Sequence, residues 1–196
     1  MRCITPTEVA ELFEADGLTI NANPALHRFS LNVREDVWSR LQRLDARPTP
    51  DSHRLMLFAA SLNRWLPTKR QRLLWFSHWG SPFPDRDGYG LVAAARVGLG
   101  EDRPLLEAPG HLFEAHDYDN QDQLAIQGAQ WHDVSLLASL LSLVMMSEWD
   151  AWLIAKGCSD LIEFWEGNLF LYSDNEARLC EADALLTGFD CPRDPL

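Results

Sequence analysis

The stretch "LIEFWEGNLFLYS", residues 161–173, constrains the fold more than any other in the chain. Two short apolar runs flank Gly167-Asn168, and both residues of that pair tolerate positive φ, so the stretch predicts a β-hairpin with a two-residue loop. With Gly167 and Asn168 as the loop, Glu166 faces Leu169, Trp165 faces Phe170, Phe164 faces Leu171 and Glu163 faces Tyr172. Alternation along the strands sends Ile162, Phe164, Leu169 and Leu171 to one face, with Glu166 at its end. Leu161, Glu163, Trp165, Phe170 and Tyr172 go to the other. The first face is core. The second mixes rings with a carboxylate: it either packs against a helix with Glu163 at the rim, or forms a partly open platform of the kind found at protein-binding hot spots.

The segments around the hairpin extend it. "AWLIA" before it adds a third strand joined by "KGCSD", and a helix from about Asn175 to Leu186 follows. Upstream, a helix reaching from about Asp122 or Trp131 to Trp149 carries the densest apolar content and belongs at the centre of the packing. Its apolar run, Val134 to Met146, is interrupted by Ser135, Ser139 and Ser142 and is shorter than the roughly 18 to 20 residues that span a bilayer.

The first hundred residues read mainly as helices. Thr5-Pro6-Thr7-Glu8 offers a Thr cap, Pro at the first helical position and Glu three residues after the cap, and the helix ends before Gly17. "LTINAN" and "HRFSLNV" are short enough for strands or extended loop. Val33, Val37, Leu41 and Leu44 recur at helical spacing and predict an amphipathic surface helix ending before Pro48. A third helix, about Asp51 to Leu66, buries Leu55, Phe58, Ala59, Leu62 and Trp65, with the cations Arg64, Lys69, Arg70 and Arg72 near its C-terminus, where the helix dipole favours them. "RLLWFSHW" is continuous, aromatic and short, which suits a strand buried on both faces. "GSPFPDRDGYG" is a loop by composition, and "YGLVAAARVGLG" a short helix. Runs of helices beside runs of strands make the expected fold α+β, with helices packed on a small antiparallel or mixed sheet and a C-terminal three-strand meander. One domain is expected over residues 1–196, with a helical half (1–100) and an acidic α+β half (101–196).

Charge divides the chain more sharply than hydropathy does. Residues 1–100 carry a balance of +3 and residues 101–196 a balance of −15, so the net −12 belongs to the second half. Such a field repels nucleic acid and anionic lipid and attracts basic proteins at rates that fall with salt. The N-terminus has no basic segment followed by an apolar run, which predicts a cytoplasmic chain. The cysteines, Cys3, Cys158, Cys180 and Cys191, are far apart and have no zinc spacing, so they read as reduced thiols.

The remaining motifs are less specific. "HLFEAHDYDNQDQ" gathers His111, Glu114, His116, Asp117, Asp119 and Asp122, and "WHD" adds His132 and Asp133. It lacks the central Gly and terminal Glu of a calcium loop and is not H-E-x-x-H, so a solvated or partner-facing acidic loop is expected and no metal. Gly88-Tyr89-Gly90 with Ala93 has the spacing of a dinucleotide fingerprint without the strand that must precede it. Ser77 and His78 alternate to opposite faces and do not form a nucleophile–base pair.

From the acidic aromatic loop through "EWDAWLIAKG" to "LIEFWEGNLFLYS", roughly residues 110–175, the chain resembles small acidic bacterial immunity proteins of polymorphic and contact-dependent toxin systems. The resemblance implies a non-enzymatic cytoplasmic inhibitor, without cofactor, that occludes the active site of a basic cognate toxin and binds neither nucleic acid nor membrane. Glu114, Asp117, Asp119, Asp122, Glu163, Trp165 and Glu166 are the expected contacts. Two alternatives remain open at this point: a metal-assisted hydrolase built on His111, His116, Asp117 and His132, and a structural adaptor subunit.

Overall fold

A computed structural model of the chain describes residues 1–23, 28–48, 51, 53–67, 69–77, 97, 100, 107–115 and 129–193, with the backbone alone at 22–23, 28–29 and 129–134. Strand β1 (Arg2–Ile4) leads into helix α1 (Pro6–Phe13). The expected capping box is formed: Glu8 N–H donates to Thr5 Oγ1 at 3.2 Å, and Thr5 N–H donates to Glu8 Oε2 at 2.7 Å. A turn of 3₁₀ helix continues to Asp16, and Gly17 stops it in the left-handed conformation that a side chain disfavours. Val37 closes over this glycine so tightly that an added Cβ would lie 2.5 Å from Val37 Cγ2.

Strands β2 (Leu18–Asn23) and β3 (Arg28–Val33) form a separate antiparallel pair. The helix expected from Val33 to Leu44 is not there. In its place stand a four-residue helix α2 (Glu35–Trp38) and strand β4 (Gln42–Ala46). The misreading has a physical cause: Leu41 and Leu44 fit helical spacing, whereas Leu44 and Ala46 equally fit the period of two that a strand on β9 requires. Helix α3 (Leu55–Trp65) buries the expected stripe, and β5 (Arg72–Phe76) is buried along its whole length.

Strand β6 (Gly110–Phe113) occupies the start of what composition marks as an acidic loop. Helix α4 (Ala129–Met146) precedes the expected meander β7 (Ala151–Ala155), β8 (Leu161–Trp165) and β9 (Asn168–Ser173), and α5 (Glu176–Gly188) closes the described fold. Among the described residues, five of the nine strands lie in residues 1–100, which corrects the expectation of a helical first half. The loop and helix expected between residues 80 and 100 lie outside the described residues, apart from Val97 and Gly100.

Among the described residues, seven strands join in the order β1-β6-β5-β7-β8-β9-β4, and every neighbouring pair is antiparallel. The fold is therefore α+β, with an antiparallel sheet that interleaves strands from both halves of the chain. Helices α3, α4 and α5 cover one face, meeting Leu74, Phe76, Leu153, Ile162, Phe164 and Leu171. Helix α1 and the β2–β3 hairpin cover part of the other, where Ile4, Phe13, Leu31, Trp75, Trp152 and Tyr172 cluster. These are called the first and second faces below.

One cation lies inside the first layer. Arg72 is fully buried and its guanidinium donates to Asn63 O at 2.5 Å, Asn63 Oδ1 at 2.8 Å, Pro67 O at 3.2 Å and Leu66 O at 3.3 Å. It thereby satisfies carbonyls that the end of α3 leaves over. The basic residue expected at this helix terminus is a buried cap. A second polar tie joins α5 to the meander, where the Asp160 carboxylate accepts from Ser173 Oγ at 2.6 Å and Arg178 Nε at 3.0 Å. No helix among the described residues is long and apolar enough to cross a membrane.

Candidate functional site

The β8–β9 turn is where the structure departs most instructively from the expected hairpin. Trp165 pairs with Asn168, Phe164 with Leu169 and Glu163 with Phe170, so the two-residue loop is Glu166-Gly167 and not Gly167-Asn168. Both loop residues have positive φ, +50° for Glu166 and +76° for Gly167, the geometry of a turn whose twist matches the flanking strands. The loop moves by one residue and the cross-strand pairing by two, so every other side chain keeps its predicted face. Glu166 alone changes place, from the end of the core face to the exposed turn.

A glutamate in this conformation costs about 1–2 kcal/mol relative to glycine. A neighbouring carboxylate holds it: Asp150 Oδ1 accepts the Glu166 N–H at 2.9 Å. Asp150 reaches the turn because β7 runs antiparallel beside β8, and Ser77 N–H donates to its carbonyl at 3.0 Å.

Helix α4 ends against the same turn and repeats the anomaly. Trp149 N–H bonds to Val144 O at 3.0 Å, the six-to-one bond of a Schellman ending, with Glu148 at φ +52° in the position where glycine is preferred. The Glu148 side chain then lies over the hairpin loop, so that a Cβ on Gly167 would sit 3.3 Å from Glu148 Cδ. Gly167 is favoured by its positive φ, and a side chain there would press against the Glu148 carboxyl. Two carboxylates occupy positions where local physics favours Gly or Asn, side by side.

Below the turn, the second face carries Glu163 between Trp152 on β7 and Phe170 on β9. Tyr172 Oη donates to Glu163 Oε2 at 2.6 Å. Burial raises the Glu163 carboxyl above its ordinary value, against the Tyr172 hydrogen bond and the Arg43 charge that lower it, with Asp150 adding to the rise. The Tyr172 phenol is raised by burial, by its bond to Glu163 and by that group's charge. Trp38 lies on Tyr172 at 4.9 Å between centroids, and Trp152 stacks on Tyr172 at 6.0 Å. Arg43 lies over the Phe170 ring at 5.1 Å and holds Asp45 with both ends of its guanidinium, at 2.6 and 2.8 Å. Trp165 and Trp38 remain 40% and 38% exposed.

The result is an acidic, aromatic corner made by Glu148, Asp150, Glu163, Trp165 and Glu166. Among the described residues no cation bridges Glu148 or Glu166, although Arg2, Arg34, Arg43, Arg54, Arg178 and Arg193 all form ion pairs elsewhere. The corner offers acceptor oxygens and ring surface, the complement of a lysine- or arginine-bearing surface.

Of the residues singled out in the sequence, the structure brings Glu163, Trp165 and Glu166 together here. Glu114 lies at the opposite end of the sheet, where it accepts from Gln71 Nε2 at 3.1 Å. By strand rise the two ends are about 20 Å apart. Asp117, Asp119 and Asp122 lie outside the described residues, as does His116, and the side chain of His132 is not described. His111, counted among possible metal ligands, is buried in β6 with its ring edge-on to Phe76 at 5.2 Å. Among the described residues no group of three or more His, Cys, Asp or Glu is placed to hold a metal ion.

Glu148 and Asp150 were not singled out in the sequence. A signal for Asp150 required the β7–β8 register, which sets it beside Trp165 and which no local rule supplies. Glu148 had none, since its place depends on how α4 ends. No protein-family model, curated protein or solved structure matches the chain.

Proposed function

We propose that the chain is an immunity protein, a cytoplasmic inhibitor that binds a basic cognate toxin domain and occludes its active site. The observation that carries this reading is the corner of Glu148, Asp150, Glu163 and Glu166 around the half-exposed Trp165, with two of the glutamates in backbone conformations unfavourable to them. Carboxylates held at a local cost, without cations on Glu148 or Glu166 among the described residues, suit a partner that supplies the positive charge. The −15 balance of residues 101–196 adds a long-range field that would speed encounter with a cationic cleft and repel nucleic acid and anionic membrane. A tryptophan beside the charges provides the rigid apolar area on which such contacts concentrate.

The test is co-expression with the product of the adjacent upstream reading frame, scored by host survival and by formation of a two-chain complex. Rescue of growth together with a stable complex supports the reading; growth arrest that persists despite soluble expression of both chains sinks it. In the complex, reversing Glu148 and Glu166 to Lys should weaken binding at least ~10-fold at low salt, mostly by slowing association. An affinity unmoved by that double reversal removes the corner from the interface.

A further inference from the structure

We propose that the outer edge of β4 is a self-association site, at which a second copy of this chain pairs β4 to β4 antiparallel about a two-fold axis through Leu44. The argument begins at the β8–β9 turn. A two-residue hairpin closes on a hydrogen-bonded pair, here Trp165 and Asn168, so Asn168, Phe170 and Tyr172 turn their amides toward β8. Leu169, Leu171 and Ser173 turn theirs toward β4, where they meet Ala46, Leu44 and Gln42. The amides of Arg43, Asp45 and Arg47 therefore point away from the sheet. Arg47 agrees independently, because its N–H donates outward to Pro192 O at 3.0 Å.

That bond covers one end of the edge. The backbone N–H and C=O groups of Arg43 and Asp45 have no hydrogen-bond partner among the described residues, and β4 is the last strand of the described sheet. Charged side chains usually guard such an edge against stray strands. Arg43 and Asp45 do so here, with one consequence for register. Arg43 and Asp45 hold each other within the strand, and an incoming antiparallel strand that sets an acid against Arg43 and a base against Asp45 extends that pair into a four-charge network, which β4 itself does. Centred on Leu44, the pairing puts Arg43 opposite Asp45 of the second copy and Asp45 opposite its Arg43, both as hydrogen-bonded pairs whose side chains share the second face. Leu44 meets Leu44 on the apolar face, and the interface is isologous, as two-fold symmetry demands.

Each copy carries −12, so long-range repulsion opposes the pairing at low ionic strength. Salt screens that repulsion beyond about 10 Å at 0.1 M and leaves the short contacts largely intact. Self-association should therefore strengthen with salt, the opposite of capture of a basic partner, so the two proposals stand or fall separately.

Sedimentation of the full chain across micromolar to submillimolar concentration, at low and at moderate salt, tests this. The expected result is a weight-average mass that climbs from 22.3 kDa toward twice that value, further at the higher salt. A mass that stays at one chain throughout overturns the proposal. Arg43→Asp and Asp45→Arg should each abolish association, because like charges then face one another, while an equimolar mixture of the two restores it. Association kept by both single variants, or not restored in the mixture, overturns the register. Should either reversal unfold the chain, Asp45→Pro takes its place, since the amide it removes faces solvent and not β9. Loss of association then supports the edge, and its retention excludes it.

Discussion

The first and second faces of the sheet are written by alternate residues of the same strands, yet they are used differently. On the first, Leu153, Ile162, Phe164, Leu169 and Leu171 lie under three helices, and the buried cation, Arg72, donates from both terminal nitrogens to oxygens at the end of α3 and just beyond it. On the second, the β1–β6–β5 end packs under α1 and the β2–β3 hairpin, but the β8–β9–β4 end carries Arg43, Asp45, Glu163 and the half-exposed Trp165 and Trp38. Apolar residues at alternate positions make the first face a source of stability. Rings and ionised groups at the same alternation make the second face a surface.

The sharpest test of that division is a pair of truncations. Phe58→Ala, in the layer over the first face, should cost about 3–5 kcal/mol in urea unfolding, because a large ring is removed from close packing and the void does not collapse. Trp165→Ala should cost clearly less than Phe58→Ala while weakening partner binding, since 40% of Trp165 is already exposed and Phe58 is fully buried. Comparable losses of stability would erase the distinction.

A smaller and opposite effect is expected at the turn. Glu148→Gly and Glu166→Asn place residues suited to positive φ where glutamates now stand, and each should raise stability by about 1 kcal/mol. Neighbouring carboxylates are also thinned out. If these variants bind the partner more weakly although they are more stable, the corner is held for binding at the expense of folding. If both properties improve, or stability falls, the unfavourable conformations have no functional meaning.

The smallest effect concerns Glu163. Its folded-state carboxyl titrates above the ordinary value of 4.5, so between that value and the raised one the folded chain holds a proton that the unfolded chain has released. Stability contributed by this group is present below the ordinary value, falls as pH rises through the window, and is gone above the raised value. Glu163→Gln removes the titration while keeping an acceptor for Tyr172 Oη. Its unfolding midpoint should therefore decline less than that of the parent chain as pH rises above the ordinary carboxylate value. An unchanged pH profile would show that Glu163 is solvated like a surface carboxylate.

Much of this division is legible in the sequence. The Thr5–Glu8 box, the α3 stripe, the buried β5 and the two faces of the β8–β9 hairpin are each written within a few neighbouring residues, by caps, periodicity and alternation, and the chain meets those demands wherever it folds. Even the mistaken turn left the faces intact, because the register moved by two and strand alternation has a period of two. Strands β1, β4 and β6 were not legible, being three to five residues long and made strands only by partners distant in the chain. The acidic corner belongs with them. Its charges come from the end of α4, the start of β7 and the β8–β9 turn, and no local rule places Glu148 over Gly167 or Asp150 under Glu166. Local physics set the elements and the side each residue faces; strand pairing and helix endings, which depend on the whole packed chain, decided which charges meet.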